Sequence, residues 1–392
     1  MTRFDLVLVG FGNVARRFIS LLHELRSTLQ HDHDFTTRII GIATRRHGQR
    51  FSPRGLDIPI PPGADPSTLV LSDVEGRALR AGTSLGPYEK VADSHPVAGA
   101  DPSVRPTVDF IRDAVERGAS AARAGRLVIV ETTTLDVDSG QPAIDHVRAA
   151  LAGGAHVITA NKGPVAFAYH DLARRAQRAR RRFLFEGAVM DGIPIFSLVR
   201  ETMPAVKISG FRGVVNSTTN YVLTAMEQGQ AFEEALSEMQ AVGIAEADPS
   251  LDVDGWDAAA KAAALANVLL GARLTPRTVE RQGVTPAMGA RVVNACRAGR
   301  RVKLVARAGR EGSRITARVS PEELPDDDLL AGVEGQQNAI ILSTDLLGEV
   351  AIVQRGGGLT QTAYALLSDL VTIARSTDPP HRRSRASRRS RP

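Results

Sequence analysis

Asp257 and Lys261 stand four residues apart in a run of alanines, so on a helix they share one face and can pair. Alanine neighbours keep that face narrow, which lets another part of the protein approach and take the lysine out of water. A desolvated ammonium holds its proton less tightly, so Lys261 is expected to exchange one with an alcohol near neutral pH. An exposed helix salt bridge is the plainer alternative. Ala263, Ala264, Leu265 and Val268 leave the helix no strongly polar face, however, and so predict burial. Upstream lie four more carboxylates, Glu246, Asp248, Asp252 and Asp254. Aligning Gly255 with the turn glycine of a calcium loop would put Lys261 where a bidentate glutamate is required, which excludes that reading. Lysine usage points to the same place. Among 49 basic residues the lysines are Lys90, Lys162, Lys207, Lys261 and Lys303. A chain that otherwise writes arginine keeps lysine where a compact ammonium that can lose its proton is wanted.

A second constellation lies at the start. Gly10-Phe11-Gly12-Asn13-Val14-Ala15 follows an apolar run and opens an amphipathic stretch in which Phe18, Leu21, Leu22 and Leu25 recur at helical spacing. That is the dinucleotide-binding arrangement, in which backbone amides at a helix start face a pyrophosphate; Ala15 in place of a third glycine is tolerated. The second expected strand ends at Arg45 and Arg46, where an acid would hold the ribose 2'-hydroxyl of NAD. Two arginines suit the 2'-phosphate of NADP, unless they simply face solvent; NAD remains the less favoured cofactor.

Strands at residues 4–9, 38–44, 127–130, 156–159 and 182–185 alternate with helical patterns, which predicts a mainly parallel sheet covered on both faces. Ligands in such sheets sit beyond the carboxyl ends of the strands, and Gly10, Arg45, Thr132, Thr133 and Lys162 all fall there. Residues 47–106, rich in Pro, Gly, Asp and Ser, read as a long insertion with a short helix near 67–79. Beyond residue 186, helices are followed by strands at 302–308, 314–319, 339–343 and 349–353, a more antiparallel pattern. The predicted class is α/β, a Rossmann-like, mainly parallel sheet domain plus an α+β substrate and dimerisation domain. The boundaries expected are 1–185 for the cofactor domain, completed by 347–376, and 186–346 for the second, with an Arg-rich tail over 377–392.

The residues resemble the homoserine dehydrogenase family over nearly the whole chain. The resemblance is carried by Thr159-Ala160-Asn161-Lys162, by residues 186–194, by Asn216-Ser217-Thr218-Thr219-Asn220-Tyr221, and most specifically by residues 243–261. It implies that Lys261 is the acid/base residue, that Lys162 stands between substrate and nicotinamide, and that Glu246, Asp252 and Asp257 hold the amino acid substrate. It also implies a monovalent cation, sodium or potassium, near Glu186, Val189, Asp191 and Ile193, bound largely through carbonyls. Gly358, in a glycine run, would return the chain to the cofactor, and a homodimer is expected. Ser217 replaces a common glycine and Gln361 a common proline. No regulatory C-terminal domain is expected. Another amino-alcohol dehydrogenase and a non-catalytic NADP sensor are the remaining alternatives.

Composition narrows the partners. The net charge of +6 resides in the last twelve residues, whose six arginines meet no acid; without them basic and acidic residues balance at 43 each. The tail reads as solvated rather than as a nucleic-acid or membrane arm. No apolar run reaches the ~18 residues of a membrane span. One cysteine, Cys296, permits no intrachain disulfide and points to the cytoplasm.

Overall fold

The computed structural model describes residues 1–45, 48–58, 106–241, 248–312 and 314–377. Arg46, Glu246, most of the expected insertion with its short helix, and the Arg-rich tail after Thr377 lie outside the described residues.

The first half runs β1 (Thr2–Val9), α1 (Asn13–Glu24), α2 (Arg26–His31), β2 (Phe35–Thr44), β3 (Gly48–Phe51), α3 (Thr107–Arg117), α4 (Ala119–Arg123), β4 (Leu127–Glu131), α5 (Ala143–Ala152), β5 (His156–Thr159), α6 (Gly163–Ala179) and β6 (Phe183–Leu184). Its sheet has the order β3-β2-β1-β4-β5-β6 and is parallel except for β3. Every residue of β4 is buried, as a strand between two helical layers must be. β1 has β2 on one side and β4 on the other, so the chain reverses its winding there and opens a crevice at their carboxyl ends. β3 lies at the start of the expected 47–106 insertion and pairs with β2, while α3 and α4 fill 107–123, for which sequence patterning names no element.

The second half runs α7 (Phe196–Thr202), β7 (Ile208–Val214), α8 (Ser217–Glu227), α9 (Phe232–Ala241), α10 (Ser250–Val253), α11 (Trp256–Leu269), β8 (Glu280–Arg281), α12 (Gly289–Arg297), β9 (Arg300–Glu311), β10 (Arg314–Pro325), β11 (Asn338–Thr344), β12 (Glu349–Gln354) and α13 (Leu359–Thr377). Its strands form a second sheet of order β12-β11-β7-β9-β10-β8, antiparallel apart from β8. β12 pairs along its length with β11, so residues 349–354 belong to this sheet, and the return to the cofactor domain expected from 347 begins after them. Only α13 returns, laying Ala363, Leu366, Leu367, Leu370 and Ile373 against α1 and the first sheet.

α11 is the joint between the halves. Its alanines, from Ala258 to Ala266, are buried on all sides, which lets it lie against β9 and β10 and against α6 at once. Asn267 fixes the crossing: its buried Nδ2 donates to Ala166 O at 3.1 Å in α6 and to Leu274 O at 2.9 Å. A larger residue on that helix would overpack the joint and cost about 1–3 kcal/mol. No helix among the described residues is long and apolar enough to cross a membrane.

Candidate active site

Gly10 leaves β1 at φ +92, and a Cβ there would stand 2.8 Å from the backbone of Thr132, so only glycine permits the close passage of the two strand ends. Thr132 N donates to Val9 O at 2.8 Å, tying them together. Gly12 caps α1, and a Cβ on it would meet nothing within 4 Å. The space before the first amides of α1, those of Asn13 and Val14, is therefore open to an anion. Phe11 lies beside this turn under the Arg16 guanidinium, 5.4 Å from its ring centroid. Arg45 is exposed at the end of β2, in the turn that leads to β3.

Glu131, fully buried at the end of β4, organises the neighbouring strand ends. Its carboxylate accepts from the Thr133 amide at 3.1 Å, from the Thr133 hydroxyl, and from Thr159 Oγ1 at 2.8 Å. Asn161 Nδ2 donates to Thr133 O at 2.9 Å, while its Oδ1 accepts from Gly163 N at 2.8 Å. Lys162, held between them, is the N-cap residue of α6.

Because α6 packs on α11, Lys162 meets the Asp257–Lys261 pair. Asp257 Oδ1 is 3.1 Å from Lys162 Nζ and its Oδ2 is 2.7 Å from Lys261 Nζ. Lys261 Nζ also donates to Val215 O at 2.7 Å. Asn216, N-cap of α8, accepts from Thr219 N and donates Nδ2 to Asp252 at 2.7 Å and to Asp257 at 3.0 Å. Sequence reading gave Asn216, Glu131 and Asn161 no roles. The first was legible as a cap, an Asn after a strand and before a helix.

Two expectations change. Burial does work to discharge Lys261, but the carboxylates of Asp257, Asp191 and Asp252 outweigh it and raise its pKa above the ordinary lysine value. Lys261 is thus a firmly held ammonium and not the weakened one that desolvation alone predicts. Asp257, expected to receive the substrate, already has its two oxygens on the two lysines. Burial would push its carboxyl up, and the lysine charges instead hold it well below the usual range. At Asp252 burial prevails, aided by the Asp257 charge, and the carboxyl is raised.

Lys162 and Lys261 share a cavity of about 210 Å³ with Val14, Thr132 and Thr133 on the glycine-turn side and Val189, Met190 and Asp191 on the other. Gly358, at φ +148, lies in the segment entering α13. Glu186 gives its carboxylate to the Phe196 and Ser197 amides at 2.8 Å each, at the start of α7, and so has little left for a cation. The carbonyls of Val189 and Ile193 accept one internal bond each, from Gly192 and Ile195, and keep a second lone pair, which suits a weakly charged ion. Among the described residues no cluster of three His, Cys, Asp or Glu could hold a metal. A larger groove of about 940 Å³ beside β6 contains none of the candidate residues.

Comparison with known proteins identifies the family. A family model described as homoserine dehydrogenase matches residues 194–371. The chain is 36% identical to the NAD(+)-dependent homoserine dehydrogenase of Pseudomonas canavaninivorans, over 96% of this chain and 97% of that one. It is 32% identical to the homoserine dehydrogenase of Methanocaldococcus jannaschii, over 95% and 99%. Among solved structures, a homoserine dehydrogenase from Thiobacillus denitrificans superposes with a TM-score of 0.73 at 27% identity, over 97% of this chain and 76% of that one. With a strand-end glycine turn and two lysines converging on one cavity, and with relatives at 36% and 32% identity matching over about 95% of its length, the chain belongs to the homoserine dehydrogenase family.

Proposed function

We propose that the chain catalyses reversible oxidation of L-homoserine to L-aspartate 4-semialdehyde with NADP. The single observation that carries the reading is the common cavity of Lys162, Lys261, Val14 and Thr132, which brings two ammonium groups to the open side of the glycine turn. The dinucleotide, when bound, supplies or takes the hydride. Its diphosphate fits the first amides of α1 beside Gly10 and Gly12, with Phe11, Asn13, Thr133 and Gly358 around it.

Lys261 has three N–H donors, two of them engaged with Asp257 and Val215 O, which leaves one for a reacting oxygen in the cavity it lines. A charged ammonium there stabilises the oxygen as negative charge develops and delivers the proton during reduction. Lys162 adds a second positive charge, suited to the substrate carboxylate or oxygen. Asp252, with Glu246, supplies negative charge for the substrate ammonium, and Asp257 keeps the two lysines together. A sodium or potassium ion is assigned to the carbonyls near Glu186, Val189, Asp191 and Ile193, where it would brace the cavity wall.

NADP is preferred over NAD in this reading because Arg45 follows directly on β2 and no carboxylate follows until Asp57. The test is a spectrophotometric assay of homoserine oxidation with NADP and NAD run separately, on the wild type and on Lys261→Ala. Turnover with homoserine that drops by about a hundredfold or more in the variant, while dinucleotide binding persists, is the expected result. Wild-type turnover in Lys261→Ala would refute the assignment.

A further inference from the structure

We infer that the Asp191 side chain sets which redox form of the nicotinamide the centre prefers, its carboxylate favouring the oxidised, cationic ring over the neutral reduced one. The inference rests on the reading of the 210 Å³ cavity as the place where nicotinamide and substrate meet.

Asp191 lines that cavity together with Lys162, Lys261 and Val14. It arrives there by an unusual backbone: Met190, Asp191 and Gly192 have φ of 47°, 48° and 76° in succession. The left-handed region is unfavourable for methionine and tolerated by aspartate, and strain of this kind persists where the fold needs a side chain aimed at one spot. Gly357 gives it room, since a Cβ at 357 would overlap Asp191 Oδ2. Two chain segments far apart in sequence thus conform to one carboxylate.

Charge balance gives the carboxylate its consequence. Among the described residues, Lys162 and Lys261 both pair with Asp257, and Asp252 is held by Asn216, whereas the Asp191 carboxylate lines the cavity outside these pairs. Asp191 and Lys261 line the same cavity, which places the carboxylate's field at its reacting end. A nicotinamide ring gains one positive charge when it loses a hydride, and Asp191 therefore interacts more favourably with the oxidised ring. The centre is biased toward accepting hydride from an alcohol.

The experiment compares the full-length wild type with Asp191→Asn, which keeps the size and the left-handed tolerance, and with Asp191→Gly, which also relieves the backbone. Dissociation constants of reduced NADP (by fluorescence) and oxidised NADP (by competition) are measured in buffer with tetramethylammonium as the only inorganic-cation substitute. In both variants the oxidised form should bind about five- to tenfold more weakly, as expected for unit charges several ångströms apart in a partly polar site, while the reduced form changes by less than about twofold. Equal weakening of both forms, or no change in either, would overturn the inference. Failure of the wild type to bind either form would instead refute the reading of the cavity on which it rests.

Discussion

Lys162 and Lys261, on helices from different halves of the chain, meet at one carboxylate, with Asp257 Oδ1 3.1 Å from the first ammonium and Oδ2 2.7 Å from the second. Two ammonium groups this close repel, and at an effective dielectric of about 20 unit charges a few ångströms apart interact by several kcal/mol. The shared anion offsets that repulsion and keeps Lys261 charged.

Asp257→Asn therefore removes the strongest anion opposing the burial of Lys261, and burial then lowers its pKa. Reduction of the semialdehyde needs the ammonium and is lost as pH rises through that pKa. The alkaline limb of the kcat/KM profile for reduction should move to lower pH in the variant, with turnover at neutral pH reduced about tenfold or more. An unmoved limb would show that Asp257 does not govern the proton on Lys261.

Gly10→Ala forces a methyl group onto the Thr132 backbone at 2.8 Å and holds a side chain at φ +92. The loss of stability should be about 1–3 kcal/mol by denaturant titration, with a larger proportional loss of dinucleotide affinity. Gly12→Ala provides the contrast. Its Cβ meets nothing in the protein within 4 Å, so stability should be nearly unchanged while dinucleotide binding falls.

Arg45→Glu tests cofactor choice. Replacing the exposed cation at the end of β2 with an acid should lower kcat/KM for NADP about tenfold or more and leave or improve that for NAD. Parallel loss with both dinucleotides would place Arg45 outside the ribose contact.

His156 is buried beneath Arg181 and Arg182; burial first, then the Arg181 charge, lowers its pKa from 6.5 to about 4. An unfolded chain binds that proton at higher pH than the folded one, so the contribution is fully present above pH 6.5 and fades as pH falls toward about 4. Wild-type stability should drop by up to about 3 kcal/mol across that window. In His156→Asn, which can still accept from Arg182 N, the drop should be visibly smaller in urea titrations at pH 7 and pH 5.

Much of this was written locally. A strand ending in Gly10, a helix face shared by Asp257 and Lys261, and alanines flanking them are properties of neighbouring residues, and periodicity exposes them because side-chain direction follows backbone repeat. Alternating strands and helices likewise gave the parallel sheet. Local pattern shows the strand at 349–353 but not the domain it joins, since its alternation fits an edge strand of either, and only pairing with β11 decides it. Nor could it give the state of Lys261. A run of alanines says that the ammonium is buried, yet whether burial weakens its hold on a proton depends on carboxylates brought in from Asp191, Asp252 and Asp257, and on Asn216, which bridges two of them. Electrostatic energy depends on distance through space and not along the chain, and those distances exist only once α6, α8 and α11 have packed.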